Sequence, residues 1–334
     1  MIPNLYASQN YITMNYSNKL LIMFVLIGFA SLGCRTHPSA PYPKSFEQSS
    51  GNSSNTTGFP VDSKPKYVSA TIFPIYSIAQ QIGGDNVKVT LLLPSGESPH
   101  TFNPTPADKL NAENSELMFY IGGGLDEWII EVTGTNAKLV EVNEGIRQIQ
   151  HGSHQEHGDH KYGPNDPHYW LDPRNGKKIA NTMAREYALI DLKNASSYQK
   201  RLELFNSEMD QLYEELLEHA QIIQDVPFIV LHDSWSYFAD AFGLNLVGTF
   251  QPYGSHGPSP KYLKMLQDKT GNHDVKVVFS EPQYPIDVLR SFADDNGLKI
   301  ANIDPLGGVD GRMTFQELLT YNVDMVKLSL LAKK

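Results

Sequence analysis

The amino-acid sequence predicts an α/β fold with two open parallel-sheet α/β lobes joined by a single long rigid helix. In both halves of the chain, short apolar runs alternate with helix-like stretches, which is the pattern of a mostly parallel sheet. Between the halves, one stretch repeats apolar residues at steps of three or four, as a long amphipathic helix does. At 334 residues, the chain is long enough for two such lobes.

The chain begins with a predicted lipoprotein signal peptide over residues 1–33. A short apolar run, "LLIMFVLIGFASLG", follows Lys19 and ends directly before Cys34, the single cysteine of the sequence. The run is too short to span a bilayer comfortably, and a cysteine after a small residue resembles the lipidated cysteine of bacterial lipoproteins. The alternative is a plain secretory signal with an incidental cysteine. Both interpretations predict export.

Residues 34–66 are predicted to be the lipidated Cys34 followed by a flexible tether. This stretch is dense in Ser, Pro, Asn, Thr and Gly, so it cannot bury enough apolar surface to offset the entropy of ordering it. The folded part is therefore expected to begin near Tyr67 and to open with an N-terminal lobe over 67–194.

The N-terminal lobe is predicted to alternate strands with helices. Its strands are "YVSATI", "VKVTLLL", "ELMFYIGGG" and "AKLVEV". Its first helix, "PIYSIAQQIGG", ends at Gly83 and Gly84. A second helix has Thr105 as N-cap and Pro106 at its first position, and "LDEWIIEV" is a short third helix.

The linker helix is predicted over 195–221, and the C-terminal lobe over 222–334. The strands of this lobe are "VPFIVLH", "LNLVGTF", "VKVVFSE" and "LKIANID", and its helices are "DSWSYFADAFG", "SPKYLKMLQDKTG", "YPIDVLRSFADDNG" and a last one from Thr314. The apolar stripe of the linker helix consists of Tyr198, Leu202, Phe205, Met209, Leu212 and Leu216.

Potential metal ligands stand at the carboxyl ends of the predicted strands, the edge at which open α/β sheets bind ligands. His100 lies between prolines in the loop after "VKVTLLL", and His232 directly follows "FIVL". Glu281 follows "VVFS", and Asp304 follows "KIANI". His168, in "PNDPHYWLDP", shares the stiff, proline-flanked character of the His100 loop.

Each of these residues also fits a purely structural role that involves no metal. A histidine at a strand end is more often a hydrogen-bonded structural residue than a ligand, and an acidic residue before proline can simply start a turn. Their recurrence at one sheet edge favours a shared site. Three imidazoles and one carboxylate form a tetrahedral set suited to zinc, and a shell supplied wholly by protein favours capture over catalysis.

The motifs "GESPHTFNPTPADKL", "DPHYWLDP", "LHDSWSYFADAFGL", "SEPQYP" and "IDPLGG" resemble, in this order, those of the zinc- and manganese-specific solute-binding lipoproteins of bacterial metal ABC transporters. The resemblance implies a protein that holds one metal ion in the cleft between its lobes through His100, His168, His232 and Asp304. The fourth ligand of the family varies among aspartate, glutamate and water. Glu281 matches a family glutamate that lies next to the metal ligands.

A histidine-rich loop over 151–161 indicates which metal is bound. The segment "HGSHQEHGDH" has no apolar residue to pack, and a merely solvated polar loop does not need so many histidines. Histidine-rich tracts bind metals, and imidazole suits zinc better than manganese. An accessory zinc site is therefore expected at His151, His154, His157 and His160.

The predicted function is high-affinity capture of Zn²⁺ outside the cytoplasmic membrane and its delivery to an ABC permease. The formal net charge of −10 argues against nucleic-acid binding, because there is no surplus of basic residues to neutralise phosphates. A manganese-binding homologue, a surface adhesin and a zinc-dependent hydrolase are the alternatives. Against the hydrolase, the sequence contains no H-E-x-x-H motif, although Glu281 offers a general base. The protein is expected to be a monomeric non-enzyme, anchored through Cys34 to the outer face of the membrane or periplasmic.

Overall fold

The structure is a computed structural model that describes residues 64–134, 136–150, 165–251 and 258–332. The described residues belong to one compact unit, Val61–Lys334. Within these ranges, none of the helices has both the length and the apolar character needed to cross a membrane. The predicted signal peptide, tether and histidine-rich loop lie outside the described residues, and the predicted domain boundaries stay predictions.

The N-terminal lobe is a four-stranded parallel sheet with helices packed against it. Its strand order is β2-β1-β3-β4. The elements are β1 (Lys66–Ala70), α1 (Phe73–Gly83), β2 (Val87–Leu91), α2 (Pro106–Ala112), β3 (Leu117–Tyr120), α3 (Ile129–Val132), β4 (Lys138–Glu141) and α4 (Pro173–Ile190).

The C-terminal lobe is a second four-stranded parallel sheet, whose order, β6-β5-β7-β8, is equivalent to that of the first. Its central strand is buried along its whole length and reads "FIVLH", the continuous apolar run expected of a parallel strand covered on both faces. The elements are β5 (Phe228–His232), α6 (Ser236–Phe242), β6 (Leu246–Gln251), α7 (Pro260–Asn272), β7 (Val277–Ser280), α8 (Asp287–Asp295), β8 (Lys299–Asn302) and α9 (Phe315–Leu331).

The linker helix α5, Ala195–Gln221, joins the two lobes. At a rise of 1.5 Å per residue, its 27 residues span about 40 Å. It packs against α1, α4 and α9 through the predicted stripe, of which Leu212 is only partly buried. Two parallel-sheet lobes and one long connecting helix confirm the predicted fold class.

The predicted helix ends also agree with the structure. The α1 helix ends at Gly83, and the next residue, Gly84, has a φ of 53° that a residue without Cβ adopts readily. At α2, the Thr105 side chain and the Asp108 side chain form a reciprocal capping box, with Pro106 at the first helical position. This capping fixes where the loop that carries His100 must end.

Candidate metal centre

His100 lies in the loop between β2 and α2, and this loop is held from both sides. Trp128 donates a hydrogen bond from Nε1 to the carbonyl oxygen of Pro99, 3.1 Å away. The Trp128 ring also packs edge-on against Phe102, with ring centroids 4.7 Å apart. These contacts fix the residue before His100 and a residue shortly after it, so the half-buried imidazole sits on a restrained backbone.

His168 lies directly before a short 3-10 helix, Tyr169–Leu171, and its orientation is set by Asp166. One carboxylate oxygen of Asp166 accepts the backbone N–H of His168 at 2.8 Å and lies 2.7 Å from the Nδ1 atom of the same residue. Both side chains are buried. The Tyr169 hydroxyl, which donates to the Ile121 carbonyl at 2.8 Å, holds this segment against the loop that follows β3.

His232 is the last residue of β5, and Glu281 directly follows β7, the neighbouring strand. His232 Nδ1 lies 3.3 Å from Glu281 Oε2. The other oxygen of Glu281 accepts hydrogen bonds from Ser234 Oγ at 2.8 Å and from Trp235 Nε1 at 2.7 Å. The carboxylate is therefore buried with both oxygens engaged.

The pKa values of this buried pair shift in opposite directions. Burial alone would lower the pKa of His232, but the adjacent Glu281 carboxylate outweighs burial and raises it. Burial likewise opposes ionisation of Glu281, but His232, Ser234 and Trp235 stabilise the carboxylate and lower its pKa. A metal at His232 therefore competes with a proton that Glu281 holds in place.

The three imidazoles converge on one point. Their ring centroids are 5.4, 5.1 and 5.1 Å apart, and His100 Nε2 lies 3.3 Å from His168 Nε2. Two nitrogens bound at 2.0–2.1 Å to one tetrahedral zinc ion lie about 3.4 Å apart, so this spacing matches shared coordination. Among the described residues, the group with ligand atoms within 4.8 Å of one another is His100, His168 and His232.

The structure does not bring Asp304 into this group. The aspartate follows β8 and is buried, but its Oδ2 accepts from Arg312 Nε at 2.9 Å. Its Oδ1 accepts from the Leu306 backbone N–H at 3.0 Å and from Gln283 Nε2 at 3.2 Å. The assignment of Asp304 as fourth ligand stays a prediction, as does the role of Glu281. Cys34 and the four histidines of the tract lie outside the described residues, so their roles stay predictions too.

Asp166 and Arg312 are neighbours of the site that the sequence analysis missed. Asp166 carries a local signal, because an aspartate side chain often accepts a hydrogen bond from the backbone N–H two residues further along the chain. Arg312 has no comparable signal. It meets Asp304 because the loop after β8 folds back on itself, through a hydrogen bond from Gly308 N to Arg312 O.

The chain is similar to several known proteins. The model of the family described as zinc-uptake complex component A, periplasmic, matches residues 68–327. The high-affinity zinc uptake system protein ZnuA of Bacillus subtilis is 27% identical over 298 residues, covering 85% of this chain and 93% of the relative. The protein of that name from Brucella abortus is 25% identical over 293 residues, covering 75% and 88% respectively. A crystal structure of ZnuA superposes with a TM-score of 0.71 at 28% identity, covering 80% of this chain and 100% of the other.

Proposed function

The chain belongs to the zinc-uptake complex component A family, and from this premise we propose that it captures Zn²⁺ and delivers it to the permease of an ABC transporter. Capture takes place outside the cytoplasmic membrane. The observation that carries the proposal is the convergence of three imidazole rings, two of which have their Nδ1 atoms occupied by buried carboxylates. Capture, orientation and release of a cation require no covalent chemistry from the chain.

The proposed ligands are His100, His168 and His232. Asp166 and Glu281 accept the Nδ1 hydrogens of two of these rings, which leaves the Nε2 lone pairs for the metal. Carboxylates in this position also make the imidazole more basic and hold its ring plane, so little reorganisation is needed when the ion arrives. His100 depends instead on its prolines and on Trp128 for the same restraint.

The donor chemistry favours zinc over manganese. Imidazole nitrogen suits zinc, whereas manganese prefers carboxylate, carbonyl and water oxygens. The accessory site proposed at His151, His154, His157 and His160 is likewise built from imidazoles alone. It would raise the local concentration of zinc near the three-histidine group.

The alternative of a zinc-dependent hydrolase is disfavoured by the surroundings of Glu281. A general base must be free to take a proton from a metal-bound water. Both oxygens of Glu281 already accept hydrogen bonds, from His232 on one side and from Ser234 and Trp235 on the other. We therefore propose a binding protein without enzymatic activity. The proposed partners are the permease and, through an acylated Cys34, the lipid bilayer.

The test is the metal content of the protein purified from cells grown without added metal. We expect a stoichiometric amount of zinc and little manganese by elemental analysis, together with zinc uptake in cells that depends on the cognate permease. The matched control is a chain with His100, His168 and His232 all replaced by Ala and the segment 151–161 deleted, which should retain neither metal. Bound manganese in place of zinc, or hydrolytic activity in a peptidase and esterase screen, would contradict the proposal.

A further inference from the structure

Asp304 has its hydrogen-bonding capacity taken up by groups of the C-terminal lobe. Its side chain is 3% exposed, and its two oxygens accept from a backbone N–H, an amide and a guanidinium. Arg312 is the charged member of this set and neutralises the carboxylate. A buried carboxylate satisfied in this way loses an ion pair and hydrogen bonds if it turns toward a metal.

Arg312 is itself held in position. Its guanidinium carbon lies 4.1 Å from the centroid of the Tyr321 ring on α9, within the range of a cation–π contact. Its backbone N–H donates to Val309 O at 2.9 Å, and its carbonyl accepts from Gly308 N at 3.0 Å. The side chain is 17% exposed. The guanidinium is therefore a fixed partner for Asp304 and not a mobile surface charge.

Asp304 is nevertheless close to the three-histidine group. Gln283, which donates to its Oδ1, is followed in the chain by Tyr284, whose ring centroid lies 5.3 Å from that of His232. Asp304 also follows β8 at the same carboxyl edge of the parallel sheet at which His232 ends β5 and Glu281 follows β7.

We propose that Arg312 is a specificity-determining positioning residue, which holds Asp304 away from the metal and leaves a ligand set of three neutral imidazoles. This inference rests on the proposed function and names how the site discriminates between cations. A carboxylate ligand adds a hard, charged oxygen, which benefits Mn²⁺ more than Zn²⁺. Keeping the carboxylate away from the metal therefore increases the affinity for Zn²⁺ relative to that for Mn²⁺.

The test compares Arg312→Met, Asp304→Asn and the double variant with the wild-type chain. Methionine removes the charge and the donors of Arg312 while keeping an unbranched stem against Tyr321. Arg290→Met is the matched control, because Arg290 lies exposed on α8 of the same lobe and pairs only with Asp287 among the described residues. The dissociation constants for Zn²⁺ and Mn²⁺ are measured by competition with a chelator of known affinity.

In Arg312→Met, the ratio of the manganese to the zinc dissociation constant should fall by at least about tenfold, the size of effect that outer partners have on metal sites. Adding Asp304→Asn should restore the ratio, because no carboxylate is then left to reach the metal. Asp304→Asn alone should leave zinc affinity nearly unchanged. The visible spectrum of bound Co²⁺ should change in Arg312→Met and revert in the double variant, which a merely structural defect would not produce.

Two results would overturn the inference: a large loss of zinc affinity in Asp304→Asn alone, or an unchanged metal ratio in folded Arg312→Met. In either case, zinc binding by the wild-type chain and its loss in His232→Ala would still support the proposed function. Should Arg312→Met not fold, Tyr321→Leu loosens the guanidinium without removing its charge. In that variant, the ratio of the manganese to the zinc dissociation constant must also fall, and Asp304→Asn must restore it. Otherwise the inference fails.

Discussion

At the scale of single residues, the candidate site depends on which nitrogen of each imidazole faces the other two rings. Asp166 and Glu281 each accept from an Nδ1 atom, so His168 and His232 have their Nε2 atoms on the side of the ring away from the carboxylate. His100 reaches the same point from a loop fixed by Trp128. The three rings therefore offer imidazole nitrogens, and those of His100 and His168 lie at the spacing that one tetrahedral ion requires.

Replacing His100, His168 or His232 singly by Ala should weaken zinc binding by more than about 100-fold. Losing an outer partner of a metal ligand costs 10–100-fold, and losing the ligand itself costs more. The measurement is a chelator-competition titration of each purified variant at one fixed neutral pH, because protons compete with the metal for imidazole nitrogens.

His219→Ala is the matched control for this series. His219 lies on the linker helix, is partly exposed, and contacts Asp324 at 3.1 Å, away from the other three histidines. Its variant should bind zinc as the wild-type chain does. If each of the three site variants also kept wild-type affinity, the ligand assignment would have to be withdrawn.

The candidate ligands could be predicted from the sequence because each stands next to a strand end or between prolines. The partners that orient them could not be predicted in the same way. Glu281 follows a predicted strand and matches a family glutamate, whereas the contact of Arg312 with Asp304 depends on the path of a loop that no local pattern specifies. Side chains that meet across a fold leave no signal in either segment alone.

At the scale of elements, the loop after β3 is fixed by one buried carboxylate. Asp126 accepts hydrogen bonds from the backbone N–H groups of Ile121 and Gly122, each at 2.9 Å, and from the Thr71 hydroxyl. The carbonyl of Ile121 in turn accepts from Tyr169, next to His168. Asp126 therefore connects the edge of the N-terminal sheet to the segment that carries a candidate ligand.

Burial raises the pKa of Asp126 to about 6, although its hydrogen bonds oppose the rise. In the unfolded chain, the same carboxyl releases its proton near pH 3.9. Between these values the native state binds more protons, so the free energy of unfolding falls as pH rises. The stabilising contribution is thus fully present below about pH 4 and is lost as pH passes about 6.

Asp126→Asn should abolish this pH dependence. The amide cannot ionise, and its NH₂ group faces a backbone donor, so the variant is less stable than wild type at low pH. The stability difference should then shrink by up to about 3 kcal/mol between about pH 4 and pH 7, because only the wild-type chain buries a charge there. Urea denaturation of both chains across this pH range measures the difference in their free energies of unfolding. A difference that stays constant with pH would contradict the coupling of stability to the ionisation of Asp126.

Most elements could be predicted from periodicity and capping residues, but α4 could not. Its stretch, "PRNGKKIANTMAREYALI", carries Gly176 and several polar residues in its first turns, which weaken the apolar pattern. The helix forms because Asp172 caps it and because Ile179, Met183 and Tyr187 are buried between α1 and α5. Tertiary packing, and not local propensity, determines this element.

At the scale of the whole molecule, the site is shared between two lobes of equivalent strand order. His100 and His168 come from the first lobe and His232 from the second. The lobes also meet where Trp170 Nε1 donates to Pro305 O at 2.7 Å and Ser95 Oγ donates to Gly308 O at 2.8 Å. Any separation of the lobes would therefore take one of the three candidate ligands away from the other two.

The segment that precedes the histidine-rich tract is anchored independently of it. Tyr237 on α6 accepts the Ile149 backbone N–H at 3.0 Å and donates to Arg147 O at 3.2 Å. Gln150 and Asn165 form an isolated antiparallel bridge, so the two ends of the tract are adjacent. We therefore expect both lobes to fold when residues 151–161 are removed.

That deletion should separate the two proposed zinc sites. The tract has no apolar residue to hold its histidines in place before zinc arrives, and ordering each residue costs about 1–2 kcal/mol of binding free energy. The three-histidine group sits on strand ends and proline-flanked loops that already fix it. Calorimetric titration of the intact chain should therefore show a tight event followed by a weaker one, and the deletion should remove only the weaker event.

In cells, the deletion should slow growth mainly when zinc is scarce. If it abolished the tight event instead, the tract would belong to the primary site, and His100, His168 and His232 could not be a sufficient histidine set.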